Sequence, residues 1–250
     1  MELWKYPLLL VAGFICGIFN AMAGGGAVFT VPILITIFGL PSTVANGTNR
    51  IGILVQNFFA TLGFAQKKVF DFKSASLLSI PAVIGAIIGS ILATKISDLF
   101  FNKVIAIVMV FVVIMIFFKP QKKVEVIEKK STIRTAALYI AFFFVGLYGG
   151  FVQIGVGLII LSVTTFIADI RLVQGNSYKV FIFGVYTLAS TIIFGIGGKI
   201  DWPIGLVLAV GSGLGGWVGS QLAVAGGDKW IKIIMTIMVA IMSSKLLGLF

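Results

Sequence analysis

The chain has 250 residues, of which 59% are hydrophobic and only 11% are charged, and its formal net charge is +11. Soluble domains carry about 25% charged residues, so this composition excludes an ordinary soluble enzyme or binding module and indicates a membrane protein. The basic residues lie at the ends of apolar segments and form no stripe with aromatic residues, so we do not expect nucleic acid as a partner.

The residue types that usually carry catalysis are scarce in this chain. It contains no histidine and one cysteine, Cys16, and its eight acidic residues fall at the ends of apolar segments or in the central polar stretch. Metal-ligand clusters, nucleophilic triads and chains of proton-carrying carboxylates are therefore missing. The sequence predicts a protein that is not an enzyme and that has no metal site and no cofactor.

Apolar segments follow one another along almost the whole chain, and about 20 apolar residues are enough to span a bilayer. We predict a short helical hairpin over residues 6–38, three fuller spans, a polar linker over residues 119–134, a second hairpin over residues 136–168 and three further spans. This is an all-α, polytopic membrane protein with about ten transmembrane or half-membrane helices. The pattern leaves open whether the hairpins cross the membrane or re-enter it.

The two parts of the chain resemble each other. Residues 71–93 align without a gap on residues 201–223, 130 positions later, and Gly13-x-x-x-Gly17-x-x-Asn20 matches Gly146-x-x-x-Gly150-x-x-Gln153 at 133 positions. Related halves in a membrane chain are typical of transporters whose site lies between two repeats. We therefore predict two inverted repeats of five segments, over residues 1–118 and 135–250.

Basic residues predict the orientation in the membrane. Residues 119–134 contain six basic residues, which places this linker in the cytoplasm. Five crossings per half put 13 of the 19 basic residues on that side, and four crossings put 12 there. The two topologies differ by one basic residue. We favour five crossings per half, because an odd number of crossings inverts the second half relative to the first. The expected location is a bacterial-type cell (inner) membrane, with the lipid bilayer around a multi-pass chain.

Polar residues inside the apolar segments form two comparable sets, each with amides, a glycine-rich turn and one cation. Helix N-termini and exposed backbone amides favour negative charge, so the two sets together predict a binding site for a small anion. The first set is Asn20, Gly24, Gly25, Gly26, Asn46, Thr48, Asn49, Arg50 and Asn57, and the second is Gln153, Gly155, Gly157, Asn176, Ser177 and Lys179.

Several of these residues also have a purely structural interpretation. Arg50 and Lys179 could direct their charges to the membrane surface, and Asn57 could bond a neighbouring helix. The Gly85-x-x-x-Gly89 motif and its repeat 130 positions later favour close helix packing. Asp71 and Asp201 each precede an apolar segment, where an aspartate is typical of a helix N-cap.

The order of these motifs resembles the sulfite exporter TauE/SafE family of membrane permeases. The likeness rests on G-x-x-x-G-x-x-[NQ] leading to GGG, then V-P-I-L, then A-N-G-T-N, and it covers the chain outside the linker. It implies a two-repeat transporter of sulfite, sulfonates such as sulfoacetate, or related anions. By this likeness Gly24, Gly25, Gly26, Pro32, Asn46, Gly47, Thr48 and Asn49 become site residues. The second half has Gly155-Val156-Gly157 in place of three glycines.

We therefore expect an alternating-access transporter, functioning as an exporter, with a small sulfur-containing anion as its substrate. The alternatives are an anion channel and a proton-coupled importer of a small oxyanion. The expected partners are the small anionic substrate and the lipid bilayer, and a second copy of the chain, in a homodimer, is a further candidate.

Overall fold

The computed structural model describes residues 4–104, 107, 132–168 and 170–246, and within these residues the secondary structure is entirely helical. The helices are α1 Lys5–Ala23, α2 Ala27–Thr36, α3 Ser42–Gln66, α4 Phe72–Lys95, α5 Thr132–Phe151, α6 Val156–Phe166, α7 Leu172–Ile196 and α8 Trp202–Leu246. A further helical segment covers residues 98–104. Five of the described helices, α1, α4, α5, α7 and the first 25 residues of α8, are long and apolar enough to cross a membrane.

Two predicted helix starts are confirmed by their hydrogen bonds. The Asp71 carboxylate accepts from the backbone N–H of Lys73 at 3.0 Å and of Ser74 at 3.4 Å, so it is the N-cap of α4. Asp201 caps α8 in the same way and accepts from the N–H of Ile204 at 3.1 Å. Both aspartates therefore have a structural role at helix ends.

The structure corrects two predicted boundaries. Residues 132–134, which we assigned to the linker, form the first turn of α5, and the rest of the linker lies outside the described residues. The last two of the three further spans predicted for the second half, over residues 203–225 and 233–244, are one continuous helix, α8, of 45 residues. The stretch between these spans contains two glycines but no proline. Glycine weakens a helix by only about 1 kcal/mol, so it does not have to end one.

Each half packs its first helix on the fourth helix of the other half. Helix α1 lies along α8, and α5 lies along α4. Glycines allow these contacts, because a Cβ on Gly85 would overlap the carbonyl of Phe143, and a Cβ on Gly215 would overlap that of Phe14. The repeated glycine motifs therefore bring helix backbones together, as the sequence predicts.

The loops lie at two ends of the helices, which we call the linker face and the distal face. The linker face contains Lys68 and Arg171, which line one pocket, and Arg134, which donates to the carbonyl of Ile167. The distal face contains Asp98, which accepts from the N–H of Thr43 at 2.9 Å, and Asp201. Helix α4 begins at the linker face, and α3 and α8 begin at the distal face.

The first helices of the two halves run in opposite directions. Along α1, Leu10 and Ile18 contact Gly211 and Gly219 of α8 in order, so α1 runs parallel to α8 and begins at the distal face. Along α5, Phe143 and Leu147 contact Gly85 and Gly89 of α4, so α5 begins at the linker face. The ends of α1 and α5 therefore approach each other from the two faces.

Candidate functional site

The two glycine-rich turns meet between the faces. Gly24 ends α1 with a φ of +85°, and its backbone lies against that of Gly157 at the start of α6. A Cβ on either residue would overlap the backbone of the other. Non-helical backbone at membrane depth is tolerated where it is buried in protein or lines a cavity. The two turns are therefore a point of direct backbone contact between the halves.

Arg50 and Lys179 are fully buried, so they do not direct their charges to the membrane surface. The Lys179 Nζ donates to the carbonyls of Asn20 at 2.8 Å and Ala21 at 3.1 Å, at the end of α1. The Arg50 guanidinium donates to the carbonyls of Gly149 at 3.3 Å and Gly150 at 2.6 Å, at the end of α5. A cation at a helix C-terminus stabilises the unpaired carbonyls and the helix dipole.

A first row of amides extends from α1 to α3. Asn20 Nδ2 donates to Gln56 Oε1 at 2.6 Å, and Gln56 Nε2 donates to Asn57 Oδ1 at 3.4 Å. All three side chains are buried. Asn57 Nδ2, at the end of the row, has no hydrogen-bond partner in the protein. The row therefore ends in a buried amide N–H group without a hydrogen-bond partner.

A second row of polar side chains joins α2, α3, the turn between α5 and α6, and α7. The Thr30 hydroxyl donates to Asn49 Oδ1 at 2.6 Å, Asn49 Nδ2 reaches Gln153 Oε1 at 3.5 Å, and Gln153 Nε2 reaches the Thr187 hydroxyl at 3.5 Å. All four side chains are buried. Asn49 and Gln153, which the sequence assigns to different halves, are thus brought into one contact.

The remaining predicted residues bond mainly to backbone. Asn46 Nδ2 donates to the Phe151 carbonyl at 3.0 Å, and Asn176 Nδ2 donates to the Met22 carbonyl at 2.9 Å. These bonds join α3 to the end of α5 and α7 to the end of α1. Thr48 accepts a hydrogen bond from the N–H of Asp201 at the distal face, and Ser177 donates to the Val69 carbonyl at the linker face. The other predicted site residues, Gly25, Gly26 and Gly155, are buried.

The contacts fix the correspondence between the halves at 129 positions. Arg50 corresponds to Lys179, and the carbonyls of Asn20 and Ala21 correspond to those of Gly149 and Gly150. The predicted 133-position match of Asn20 with Gln153 is therefore displaced by one helical turn. Gln153 instead corresponds to Gly24, and the two share the left-handed backbone conformation, with φ of +69° and +85°.

Sequence reasoning missed Tyr186, Thr30 and Thr187. Tyr186 lies in an apolar run of α7, where an aromatic residue is typical of a hydrophobic core, and it is fully buried. A signal for it exists, because Tyr186 stands 129 positions after Asn57. Only the correct correspondence between the halves would have revealed that signal.

The buried charges have one sign. Among the described residues whose side chains are placed, Arg50 and Lys179 are buried, and no aspartate or glutamate is. The hydrogen-bond partners of both basic side chains are neutral backbone carbonyls. Charged groups at membrane depth usually face a cavity or pathway and are a sign of function.

A pocket of about 600 Å³ opens at the linker face. Its lining includes Lys68, Arg171, Asp71 and Gln174. Gln174 donates to the Tyr178 hydroxyl at 3.4 Å, and Tyr178 directly precedes the buried Lys179. The pocket therefore adjoins the part of α7 that leads toward the buried cations.

Comparison with known proteins identifies the family. Residues 9–246 match the sequence profile of the family described as Sulfite exporter TauE/SafE. The chain is 26% identical over 239 residues to a "Probable membrane transporter protein" of Haemophilus influenzae, covering 96% of this chain and 93% of the relative. It is 26% identical over 245 residues to the "Probable membrane transporter protein YfcA" of Escherichia coli K12, covering 96% and 90%. No solved structure matches the chain.

A match over nearly the whole chain shows membership, so this protein belongs to the sulfite exporter TauE/SafE family. The resemblance noted from the GGG and A-N-G-T-N motifs is confirmed. The chain is a multi-pass membrane transporter of bacterial type, as the named relatives and the long apolar helices indicate.

Proposed function

We propose that this member of the family exports a small sulfur-containing anion, such as sulfite, sulfoacetate or another sulfonate, by alternating access. The observation that carries the proposal is the sign of the buried charge. Arg50 and Lys179 are fully buried beside amide and hydroxyl groups, while none of the carboxylates whose side chains are placed is buried with them. Such an interior favours a small oxyanion over a cation, because oxygen atoms accept hydrogen bonds from these donors.

Outward movement of an anion needs no coupling ion. Each negative charge that leaves a cell with a negative interior gains about 2.3 kcal/mol per 100 mV. Coupled transporters commonly use buried carboxylates to carry protons, and none of the carboxylates whose side chains are placed is buried, which fits this mechanism. The family description, as an exporter of sulfite, supports the same direction and substrate class.

The opposite directions of α1 and α5 support the alternating-access part of the proposal. We propose that the halves are inverted repeats related by a two-fold axis in the membrane plane, with the site at the meeting turns. The basic residues Lys68, Arg134 and Arg171 share the linker face with the start of α5. By the positive-inside rule this face is cytoplasmic, and its pocket is an entrance for the anion.

Ligand-dependent stability of the purified protein tests the substrate class. A ligand that binds only the folded state stabilises it by about 2.7 kcal/mol at 100 times its Kd, so thermal unfolding should shift upward. We expect sulfite or a sulfonate with a net negative charge to raise the Tm. Taurine, whose ammonium group cancels its sulfonate charge, and simple carboxylates should leave the Tm unchanged. A Tm that no sulfur-containing anion raises would contradict the proposal.

A further inference from the structure

Two fully buried hydrogen-bond donors near Gly149 have no partner in the protein. They are the hydroxyl of Tyr186 and the Nε–H of Arg50. The other guanidinium nitrogens of Arg50 are occupied by the carbonyls of Gly149 and Gly150. Buried polar groups are nearly always paired, so an unpaired donor in a native protein requires an explanation. A guanidinium Nε–H is a donor only, which restricts its partner to an acceptor atom.

The surrounding residues hold both donors in place. The Tyr186 ring stacks on Phe183 with ring centroids 5.1 Å apart, and the Arg50 guanidinium lies over the Phe194 ring at 4.2 Å. A Cβ on Gly149 would lie 2.6 Å from the Tyr186 hydroxyl, so only glycine leaves room for the phenol there. A site held by packing in this way is preorganised for its ligand.

The other half presents an unpaired donor at the corresponding position. Asn57 stands 129 positions before Tyr186, and its Nδ2 also has no partner. The Gly149 position corresponds to Asn20, which begins the amide row that ends at Asn57. The two halves therefore differ in side chains but share an unpaired, buried donor beside the capped end of a first helix.

We infer that the Tyr186 hydroxyl and the Arg50 Nε–H bind oxygen atoms of the anionic substrate, and that the Asn57 amide is their counterpart in the first half. This inference rests on the proposed function and assigns Tyr186 as a substrate-binding residue. It requires a substrate with at least one charged oxygen acceptor, as in sulfite and sulfonates. The hydroxyl and the guanidinium donate, and the anion oxygen accepts.

The Tyr186→Phe variant tests the inference because it removes one oxygen atom and keeps the ring stacked on Phe183. We expect the Kd for sulfite to rise about tenfold, as for the loss of a hydrogen bond to a charged acceptor. Without sulfite the Tm should not fall, because removal of an unpaired buried hydroxyl breaks no protein contact. Tyr178→Phe is the matched control, since its hydroxyl already donates to Asp71 Oδ2 at 3.3 Å, and its sulfite affinity should match that of wild type.

Three results would overturn the inference. If wild type binds sulfite and Tyr186→Phe binds it equally well, the hydroxyl does not contact the substrate. A fall in Tm without sulfite, or a variant that does not fold, would show that the hydroxyl has a structural partner. If wild type binds neither sulfite nor methanesulfonate, the proposed function itself fails, and the inference fails with it.

Discussion

Arg50 and Lys179 make the same contact in opposite halves. Each cation lies on the third helix of its own half and donates to the carbonyls at the end of the other half's first helix, at distances from 2.6 to 3.3 Å. Each residue in one contact stands 129 positions along the chain from its counterpart in the other contact. The buried cations thus join the halves at the site, and any movement of one half against the other must rearrange them.

Removal of the Lys179 charge should destabilise the protein. In Lys179→Met the carbonyls of Asn20 and Ala21 lose their donor, and a buried unsatisfied polar group costs about 1 to 3 kcal/mol. We expect the Tm of the purified protein to fall without any ligand. Lys73→Met is the control, because Lys73 is exposed at the start of α4 and its Tm should match that of wild type. An unchanged Tm in Lys179→Met would show that the ammonium does not support α1.

A methyl group at Gly24 should prevent the two turns from meeting. Gly24→Ala would place a Cβ on the backbone of Gly157, so we expect loss of transport and a lower yield of monodisperse protein. Gly198→Ala is the control for backbone strain. Gly198 also has a positive φ, +63°, but a Cβ there would meet no other atom, so this variant has the strain without the clash. The strain alone costs about 1 to 2 kcal/mol. Equal transport by the two variants would contradict the close contact of the turns.

The N-cap of α4 predicts a pH-dependent contribution to stability. Hydrogen bonds, first of all that with the Ser74 side chain, hold the pKa of Asp71 below its usual value. A carboxylate whose pKa is lower in the folded state stabilises the fold above its unfolded pKa, and this contribution disappears as the pH falls through the folded pKa. Asp71→Ala should therefore lose about 1 kcal/mol at pH 7, and the loss should shrink in acid.

Thermal unfolding of wild type and Asp71→Ala between pH 7 and pH 3 measures this difference. The exposed position of Asp71 limits other effects of the substitution. A Tm difference that stays the same down to pH 3 would show that the ionised carboxylate is not the cap.

Labelling of single cysteines should divide the loops between the two sides of the membrane. In a Cys16→Ala background, Lys68→Cys and Arg171→Cys should react only with a reagent in the cytoplasm, because both residues line the pocket of the linker face. Lys199→Cys, two positions before the distal-face residue Asp201, should react only with a reagent outside the cell. Labelling of Lys68→Cys and Arg171→Cys from opposite sides would contradict the arrangement of the halves.

The elements that the sequence predicts well are those fixed by local chemistry. Aspartate caps such as Asp71 need only the next few residues, and the glycine motif at Gly85 repeats because two helix backbones must approach closely. The sequence also assigns one cation to each polar set, Arg50 to the first and Lys179 to the second, and each cation follows amide side chains. These signals depend on short stretches of chain, which a single sequence shows directly.

The relationship of the first helices could not be predicted in the same way. Chemical likeness suggested that Asn20 matches Gln153, but the backbone places Gln153 at the position of Gly24. The halves conserve a left-handed backbone position while the side chain there differs. Helix α3 is a second feature that sequence patterns identify poorly. Its buried amides and Arg50 lower its hydropathy, so it is not among the five helices that are apolar enough to cross a membrane. In the fold it nevertheless packs against both α7 and α8.

Voltage-driven efflux from proteoliposomes tests the central claim, transport of a sulfur-containing anion, most directly. Vesicles that contain the purified protein and sulfite are given an inside-negative potential, and the released sulfite is measured over a range of internal concentrations. We expect efflux that saturates with concentration, rises with the potential, proceeds without a proton gradient and is abolished in Gly24→Ala vesicles. Sulfite efflux no faster than from protein-free vesicles would contradict the account. So would an efflux rate that keeps rising with sulfite concentration, which is the behaviour of an open channel.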